Sequence, residues 1–290
     1  MLVTGNGVSG HDALVPVLQI AGARLSYLVE GAGPPLVLVQ GAGVVGEGWR
    51  PQIEGLRDRF TLITLDNRGI GASTPPRGRL TIEDMASDVL AVANAAGVER
   101  FHLAGHSMGG LIAQQIALTL PERIVSLAFL CTFAHGPQAA TLSLGILLTA
   151  IRMRIGTRAM RRRAFTELVM PPRYLSTINP AELAERLEPL FGHDLANQPS
   201  FVMQQVRAMS RFDAGGRLTA LASIPTLVVS ASEDRIARPE YGRELASLIP
   251  GARFVQIADA GHAVTIQRAG EVNALLGEHL AAAATAGWRA

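Results

Sequence analysis

His102-Leu-Ala-Gly-His-Ser-Met-Gly-Gly110, "HLAGHSMGG", is the stretch on which the reading of this chain turns. "RFHLAGHS", the apolar run that leads into the serine, reads as a strand. "MGGLIAQQIALTL" after it reads as a helix closed by Pro121. Gly105-His-Ser-Met-Gly109 is therefore a G-x-S-x-G sequence set at a strand-to-helix turn, which is the context the pattern needs. So sharp a turn holds Ser107 in a strained backbone conformation with its hydroxyl exposed. The residues two before and two after the serine come close together, where a Cβ would clash; Gly105 and Gly109 meet that need. The following helix points its free N–H groups at the site and favours negative charge there. Ser107 is the candidate nucleophile.

A serine needs a base, and the base needs an orienting acid. His262, in "ADAGHAVTIQ", lies between the last strand and the last helix, a loop position where function concentrates. The other histidines fit less well. His106 flanks the serine and is expected to point away from its hydroxyl. His102 lies within a strand, His11 in the N-terminal tail, and His279 on a late helix where it is expected to face solvent. His135 and His193 fall in or near the middle segment. Asp234, in "VVSASEDRIARPE", ends a strand at the C-terminal sheet edge, where α/β sheets place their sites. Glu233 is the alternative acid. One residue along a turn changes the side-chain direction, so only one of the two can face His262, and Asp234 is preferred. "SLAFLCTFAHGP", the other strand end suited to an acid, is followed by no carboxylate.

Outward from this stretch, strands and helices alternate from Arg24 to about Gln256. The short strands "PLVLVQ", "TLITLD", "SLAFLCT" and "PTLVVSAS" are apolar throughout, which suits a parallel sheet covered on both faces. "TIEDMASDVLAVANAAG" is a helix with Thr81 as N-cap and Gly97 as its stop. From Ala134 to Leu221 the strand pattern lapses and the chain is helical in character. The expected organisation is an α/β core over residues 1–133 and 222–290 with a helical cap inserted at 134–221. Apolar residues make up 48% of the 290, so the chain buries a full core. Net charge is +2, with all 26 basic residues arginine, and this gives no nucleic-acid footprint. The one cysteine, Cys131, reads as a small core residue. "MLVTGNGVSGHDALVP" lacks the basic head and apolar run of a signal peptide, and the apolar stretch "LGILLTAI" is too short to span a bilayer. A cytoplasmic protein without stable membrane insertion is expected. The first dozen residues and the final "TAGWRA" are expected to be loosely held.

The order Ser107, Asp234, His262 resembles the triad order of the α/β-hydrolase superfamily. "DNRGIGAS", Asp66 to Ser73, looks like that superfamily's D-x-R-G-x-G-x-S turn, and "LVVSASEDRIARP" and "AGHAVTIQRAGEVN" look like its acid and histidine segments. The resemblance runs from about Arg24 onward. It implies an α/β-hydrolase fold, a mostly parallel sheet flanked by helices with an inserted helical cap. It also implies a cofactor-free serine hydrolase acting on a small apolar ester or lactone. It leaves open a C–C bond hydrolase, a peptidase, a perhydrolase with haloperoxidase-like activity, or a ligand receptor on the same fold. An epoxide or haloalkane hydrolase is disfavoured, because those need a carboxylate where Ser107 stands.

One feature competes with this reading. "PLVLVQGAGVVGEGW", Pro35 to Trp49, carries Gly41, Gly43 and Gly46 in G-x-G-x-x-G spacing, and Asp66 follows at the distance of a ribose-binding acid. A dinucleotide fingerprint starts its helix inside the glycine run. Such a helix would carry Pro51 in its interior, at a cost of about 3 kcal/mol or more. Pro51 suits only a helix start, which leaves the loop too long for that motif, and Asp66 already belongs to "DNRGIGAS". By resemblance the loop instead supplies the Ala42 N–H to an oxyanion hole whose second donor is the Met108 N–H. Many relatives carry histidine where this chain has Gln40, so the bracing of the loop is a question for the structure. In the cap, Ile146, Leu147, Leu148, Met153, Met160, Phe165, Met170, Phe191, Phe201, Met203 and Met209 are expected mostly to pack the insertion onto the sheet, some of them lining an apolar pocket. Arg152, Arg154, Arg158, Arg161, Arg162 and Arg163 form a basic cluster, read as a solvated helix face in preference to an attractor of acidic substrate or membrane.

Overall fold

The apolar runs of the sequence fold into one eight-stranded sheet. The computed structural model describes residues 16–140, 148–149 and 151–287. The strands are β1 (Val17–Ile20), β2 (Ala23–Gly31), β3 (Pro35–Val39), β4 (Thr61–Leu65), β5 (Phe101–His106), β6 (Ile124–Leu130), β7 (Thr226–Ala231) and β8 (Arg253–Ile257). Their spatial order is β1-β2-β4-β3-β5-β6-β7-β8. β2 is antiparallel to both neighbours, and every pairing from β4 to β8 is parallel. β5, β6 and β7 are buried along their whole length, as strands covered on both faces must be.

The helices are α1 (Arg50–Leu56), α2 (Ile82–Ala95), α3 (Met108–Thr119), α4 (Gly136–Ala140), α5 (Arg158–Val169), α6 (Pro172–Leu175), α7 (Pro180–Phe191), α8 (Val202–Met209), α9 (Pro239–Leu248), α10 (Val264–Gln267) and α11 (Ala269–Gly287). Thr81 caps α2 through a reciprocal box: its hydroxyl accepts the Asp84 N–H at 3.1 Å, and Asp84 accepts the Thr81 N–H at 3.0 Å. Pro51 falls in the first turn of α1, behind a 3₁₀ turn at Gly46–Trp49. β1 lies before the alternation of strands and helices expected from Arg24 onward. That strand has only four residues, half of them exposed, and it joins β2 through Gly22 at φ +78°.

Between β6 and β7 the described elements are helices, apart from one isolated bridge between His135 and Asp213. That bridge marks where the chain leaves the sheet and returns to it. It is reinforced by the Gly136 N–H on the Phe212 carbonyl at 2.8 Å. Ala208, Met209, Phe212, Ala214, Leu218 and Leu221 belong to the core cluster of the sheet, so the last part of the segment packs on the core. The helical segment has its own cluster, including Phe165, Met170, Leu183, Leu187 and Phe191. This cluster also takes in Ala263, with Val44, Ile236 and Ile266 packed against it, so the insertion is seated over the C-terminal edge of the sheet.

Three cap residues expected to pack inward are instead exposed: Leu148, Met160 and Met203. Ile146 and Leu147 lie outside the described residues, as do His11 and the first dozen residues. Thr285 continues α11, and residues 288–290 lie outside the described part. His279 is also corrected. It is half-buried against the sheet, with Nε2 donating to the Leu127 carbonyl at 2.9 Å, because the face of α11 that carries it packs on β6.

The arginine cluster is largely an internal ion-pair network. Arg152 and Arg163 pair with Glu167, Arg158 and Arg162 with Asp194, and Arg162 also with Glu188. Burial alone would raise the Asp194 carboxyl, but Arg162, the Ala196 N–H and Arg158 together hold it below its ordinary value. Charge committed to these pairs is not available to draw in an acidic ligand. No helix among the described residues is long and apolar enough to cross a membrane.

Candidate active site

Ser107 stands alone between β5 and α3, at φ 53° and ψ −118°. A non-glycine residue there costs of order 1–3 kcal/mol unless its surroundings over-determine it, and here they do. Its N–H donates to the Leu130 carbonyl at 2.9 Å, and its own carbonyl accepts from Thr132 Oγ1 at 2.7 Å and from the Gly110 N–H at 2.9 Å. A Cβ on Gly105 would overlap the Gly109 carbonyl, and one on Gly109 would overlap the Val39 carbonyl. Both obstacles are backbone and cannot swing aside. Gly110 is similarly confined by Thr132, a requirement the pentapeptide pattern does not contain.

Asp234 follows β7 and is buried, while its neighbour Glu233 is exposed. One Asp234 oxygen accepts the N–H groups of Ile236 and Ala237 at 2.8 and 2.9 Å. The other lies 2.7 Å from His262 Nδ1. A carboxylate can only accept, so Nδ1 carries the hydrogen and Nε2 keeps its lone pair in the neutral ring. His262 sits in the loop after β8. The loop is pinned by the Ala263 N–H on the Val169 carbonyl at 2.9 Å and the Gly261 N–H on Gln267 Oε1 at 3.0 Å.

His106 does more than point away from the serine hydroxyl. Its Nε2 donates to the His262 carbonyl at 2.8 Å, which ties the residue before Ser107 to the backbone of His262. Its Nδ1 is buried without a protein partner. Burial first, and the neighbouring His262 ring second, push its pKa down to about 3, so His106 is neutral and acts as a strut. Nothing in the sequence around His106 marks a bond to a residue 156 positions away.

Cys131 ends β6 at φ 47°. Burial, and then the Asp234 carboxylate, raise its thiol well above the ordinary value. Among the described residues, one trio of His, Cys, Asp or Glu side chains has the spacing of a metal site: His106, Cys131 and His262. The donors do not fit a metal. A metal would need the thiolate, and burial together with the Asp234 carboxylate holds the Cys131 thiol protonated.

The glycine loop after β3 runs against Ser107: the Cβ position of Gly41 is 3.1 Å from Ser107 Cβ. The Gly41 N–H is taken by Gln40 Oε1 at 3.1 Å, and the Gly43 N–H by Gln205 Oε1 at 2.9 Å. Ala42 lies between these two anchored amides. Met108 opens α3, where first-turn amides have no intrahelical acceptor. Gln40 also accepts Asn67 Nδ2 on its backbone carbonyl, so glutamine itself braces the strand end. Asp66 accepts from the backbone on both sides, with one oxygen on the Gly46 N–H at 2.8 Å and the other on the Ala72 N–H at 3.0 Å. It ties the glycine loop to the "DNRGIGAS" turn, which accounts for the acid without a ribose. The 3₁₀ turn that starts at Gly46 has its first N–H on Asp66, and α1 starts only at Arg50, so no α-helix N-terminus points into the glycine run.

This sheet, its strand order and the strained serine at a strand-to-helix turn define the α/β-hydrolase class. Residues 34–269 match the family model described as the alpha/beta hydrolase fold, and the chain belongs to that family. Hydrolysis is the class of reaction that membership and the relatives support. A protein from Azorhizobium caulinodans named "Putative carbamate hydrolase RutD" is 34% identical over 255 residues, covering 86% of this chain and 92% of that one. The solved enol-lactonase from Burkholderia xenovorans LB400 is 28% identical with a TM-score of 0.77, over 92% of this chain and 100% of the lactonase. A thermophilic esterase from Thermogutta terrifontis is 28% identical with a TM-score of 0.75, over 93% and 97%.

Proposed function

We propose that the protein is a cofactor-free serine hydrolase that cleaves a carboxylic ester or lactone through an acyl-enzyme. The observation that carries this reading is the 2.7 Å contact of His262 Nδ1 with buried Asp234, on a loop that His106 ties to the strained Ser107 turn. Ser107 Oγ attacks the carbonyl carbon as His262 Nε2 takes its proton. Asp234 holds the tautomer and stabilises the imidazolium that forms. The oxygen of the tetrahedral intermediate is bound by the Ala42 and Met108 N–H groups. His262 then gives the proton to the leaving alkoxide. In the second half-reaction it activates water against the acyl-enzyme.

The enol-lactonase and esterase names of the two solved relatives support an ester or lactone carbonyl. The apolar cap cluster reaching Ala263 and Val44 supports an apolar acyl or ring portion. The carbamate-hydrolase name of the 34% identical relative favours a carbamate as second reading, since the same attack on its carbonyl gives a carbamoyl-enzyme.

The test is Ser107→Ala. Turnover of short p-nitrophenyl esters should fall by about 10⁴-fold or more, and capture by a fluorophosphonate probe should vanish. Labelling that persists on the alanine variant would put the nucleophile elsewhere. A parent protein that turns over no ester, lactone or carbamate would favour a receptor.

A further inference from the structure

Gln205 is fully buried and belongs to α8, inside the helical insertion, yet its amide is spent on the core. Oε1 accepts the Gly43 N–H at 2.9 Å, and Nε2 donates to the Arg68 carbonyl at 3.4 Å. The start of α8 presses on the same two turns. The Cβ position of Gly43 lies 2.8 Å from Val202 Cγ2, and that of Gly69 lies 2.8 Å from the Phe201 side chain. Gly43 and Gly69 have φ of +79° and +80°, so the chain turns back at both places with no side chain to hold it. Gln205 is the group that bridges them.

The Ala42 N–H belongs to the peptide unit between Gly41 and Ala42. The unit before it is fixed by Gln40, which is local. The unit after it is fixed by Gln205, which is 162 residues away in sequence. Without the second anchor, the peptide between Ala42 and Gly43 can rotate, because glycine permits almost any φ, and a buried N–H would lose its acceptor. The Ala42 amide would then have to be reoriented in each catalytic cycle, and the value of an oxyanion donor lies in avoiding that reorganisation.

We propose that Gln205 is a positioning residue for the oxyanion hole, through which the helical insertion sets the direction of the Ala42 N–H. This rests on the serine-hydrolase reading and on Ala42 as donor.

The experiment compares the parent with Gln205→Leu, which keeps size and removes the acceptor, and Gln205→Glu, which keeps an acceptor oxygen. The measurements are kcat and KM on a p-nitrophenyl ester, and Ki for a trifluoromethyl ketone whose adduct carries the oxyanion. For folded Gln205→Leu, kcat should fall about 10- to 100-fold, short of the loss of a whole donor, with KM within about twofold of the parent. Ki for the ketone should rise by the factor by which kcat/KM falls, and Gln205→Glu should recover most of the loss. A purely structural role would move none of these in step. Parental kcat in folded Gln205→Leu, a kcat loss without loss of ketone affinity, or a glutamate variant no better than leucine would each overturn the proposal.

If Gln205→Leu does not fold, Gln205→Met is judged by the same criteria. The Gly43 amide of the parent should then also be protected from hydrogen exchange, and free exchange there overturns the proposal. Failure of the hydrolase reading is seen separately, as a parent with no turnover and no Ser107-dependent fluorophosphonate capture, and it would overturn both.

Discussion

Acidification from pH 8 to pH 5 should strip stability from this fold through two buried histidines. His106 is held at about 3 and His102 at about 4, each chiefly by burial, against an ordinary value of 6.5. Both are therefore neutral in the folded protein at pH 5, while the same side chains in the unfolded chain are mostly protonated. The unfolded state binds more protons, so the stability these groups contribute is fully present above pH 6.5. It is lost as pH falls from there toward their folded values. At pH 5 the loss is about 2 kcal/mol for each histidine and about 4 kcal/mol for the two. That is a large share of the roughly 5–15 kcal/mol by which folded domains are stable. His279, whose pKa burial also lowers, adds a loss of the same sign, and the buried Asp66 and Asp88, whose pKa values burial raises, oppose it. The assay is urea unfolding followed by circular dichroism at pH 8, 6.5 and 5, on the parent and on His102→Asn, whose amide stands at the level of the Nδ1 that meets Ser126 Oγ. Whatever the variant does to absolute stability, its loss between pH 8 and 5 should be smaller than the parent's by about 2 kcal/mol. A variant with the parent's pH dependence would refute the assignment of a neutral, proton-refusing His102.

Three further outcomes follow from the site. Asp234→Asn should lower kcat on p-nitrophenyl esters by roughly 10⁴-fold, and exposed Glu233→Gln should leave it near the parental value; equal small effects would remove Asp234 from the mechanism. Gly109→Ala would set a methyl against the Val39 carbonyl, so it should destabilise the protein by about 3 kcal/mol or more, read as a lowered unfolding midpoint; an unchanged midpoint would contradict the packing described. NAD(H) and NADP(H) at millimolar concentration should give no thermal shift, since a ligand specific for the native state must stabilise it. A saturable shift would revive the dinucleotide reading of the glycine loop.

The legible parts of this molecule are those that backbone sterics impose locally. Gly105 and Gly109 are readable because no other residue fits beside the Gly109 and Val39 carbonyls. Thr81 and Asp84 announce their helix because the capping box lies within four residues. Pro51 rules out a helix inside the glycine run by its ring alone. The illegible parts are contacts between side chains distant in sequence. His106 reaches the His262 carbonyl and Gln205 reaches Gly43 across 156 and 162 residues, and no local pattern distinguishes these from any other buried histidine or glutamine. The pairing within the arginine cluster is hidden in part for the same reason: Glu167 lies four residues past Arg163, but Asp194 and Glu188 lie 26 or more residues beyond the arginines they bind. Short β1 is illegible on other grounds, since four half-exposed edge residues carry too little pattern to stand out.

The distribution of strain supports the same view of where the chemistry lies. Among the described residues, three non-glycine residues have positive φ: Ser107 at 53°, Cys131 at 47° and Asp259 at 50°. They follow β5, β6 and β8, and so lie at the C-terminal ends of the strands that carry the candidate site. Packing does not favour such conformations, and a fold under no other demand would place glycine there. Each is held by hydrogen bonds to its backbone. Ser107 is gripped by Leu130, Thr132 and Gly110; Cys131 donates its N–H to the Val229 carbonyl; and the Asp259 carbonyl accepts Gln267 Nε2 at 2.8 Å. Gln267 in turn holds the Gly261 N–H, so the strained turn at Asp259 and the backbone next to His262 share one clamp. The turn at Cys131 keeps the thiol beside the Asp234 carboxylate while the chain departs into the insertion. These three strained turns border the edge where the candidate nucleophile, acid and base meet, with the buried sheet behind them.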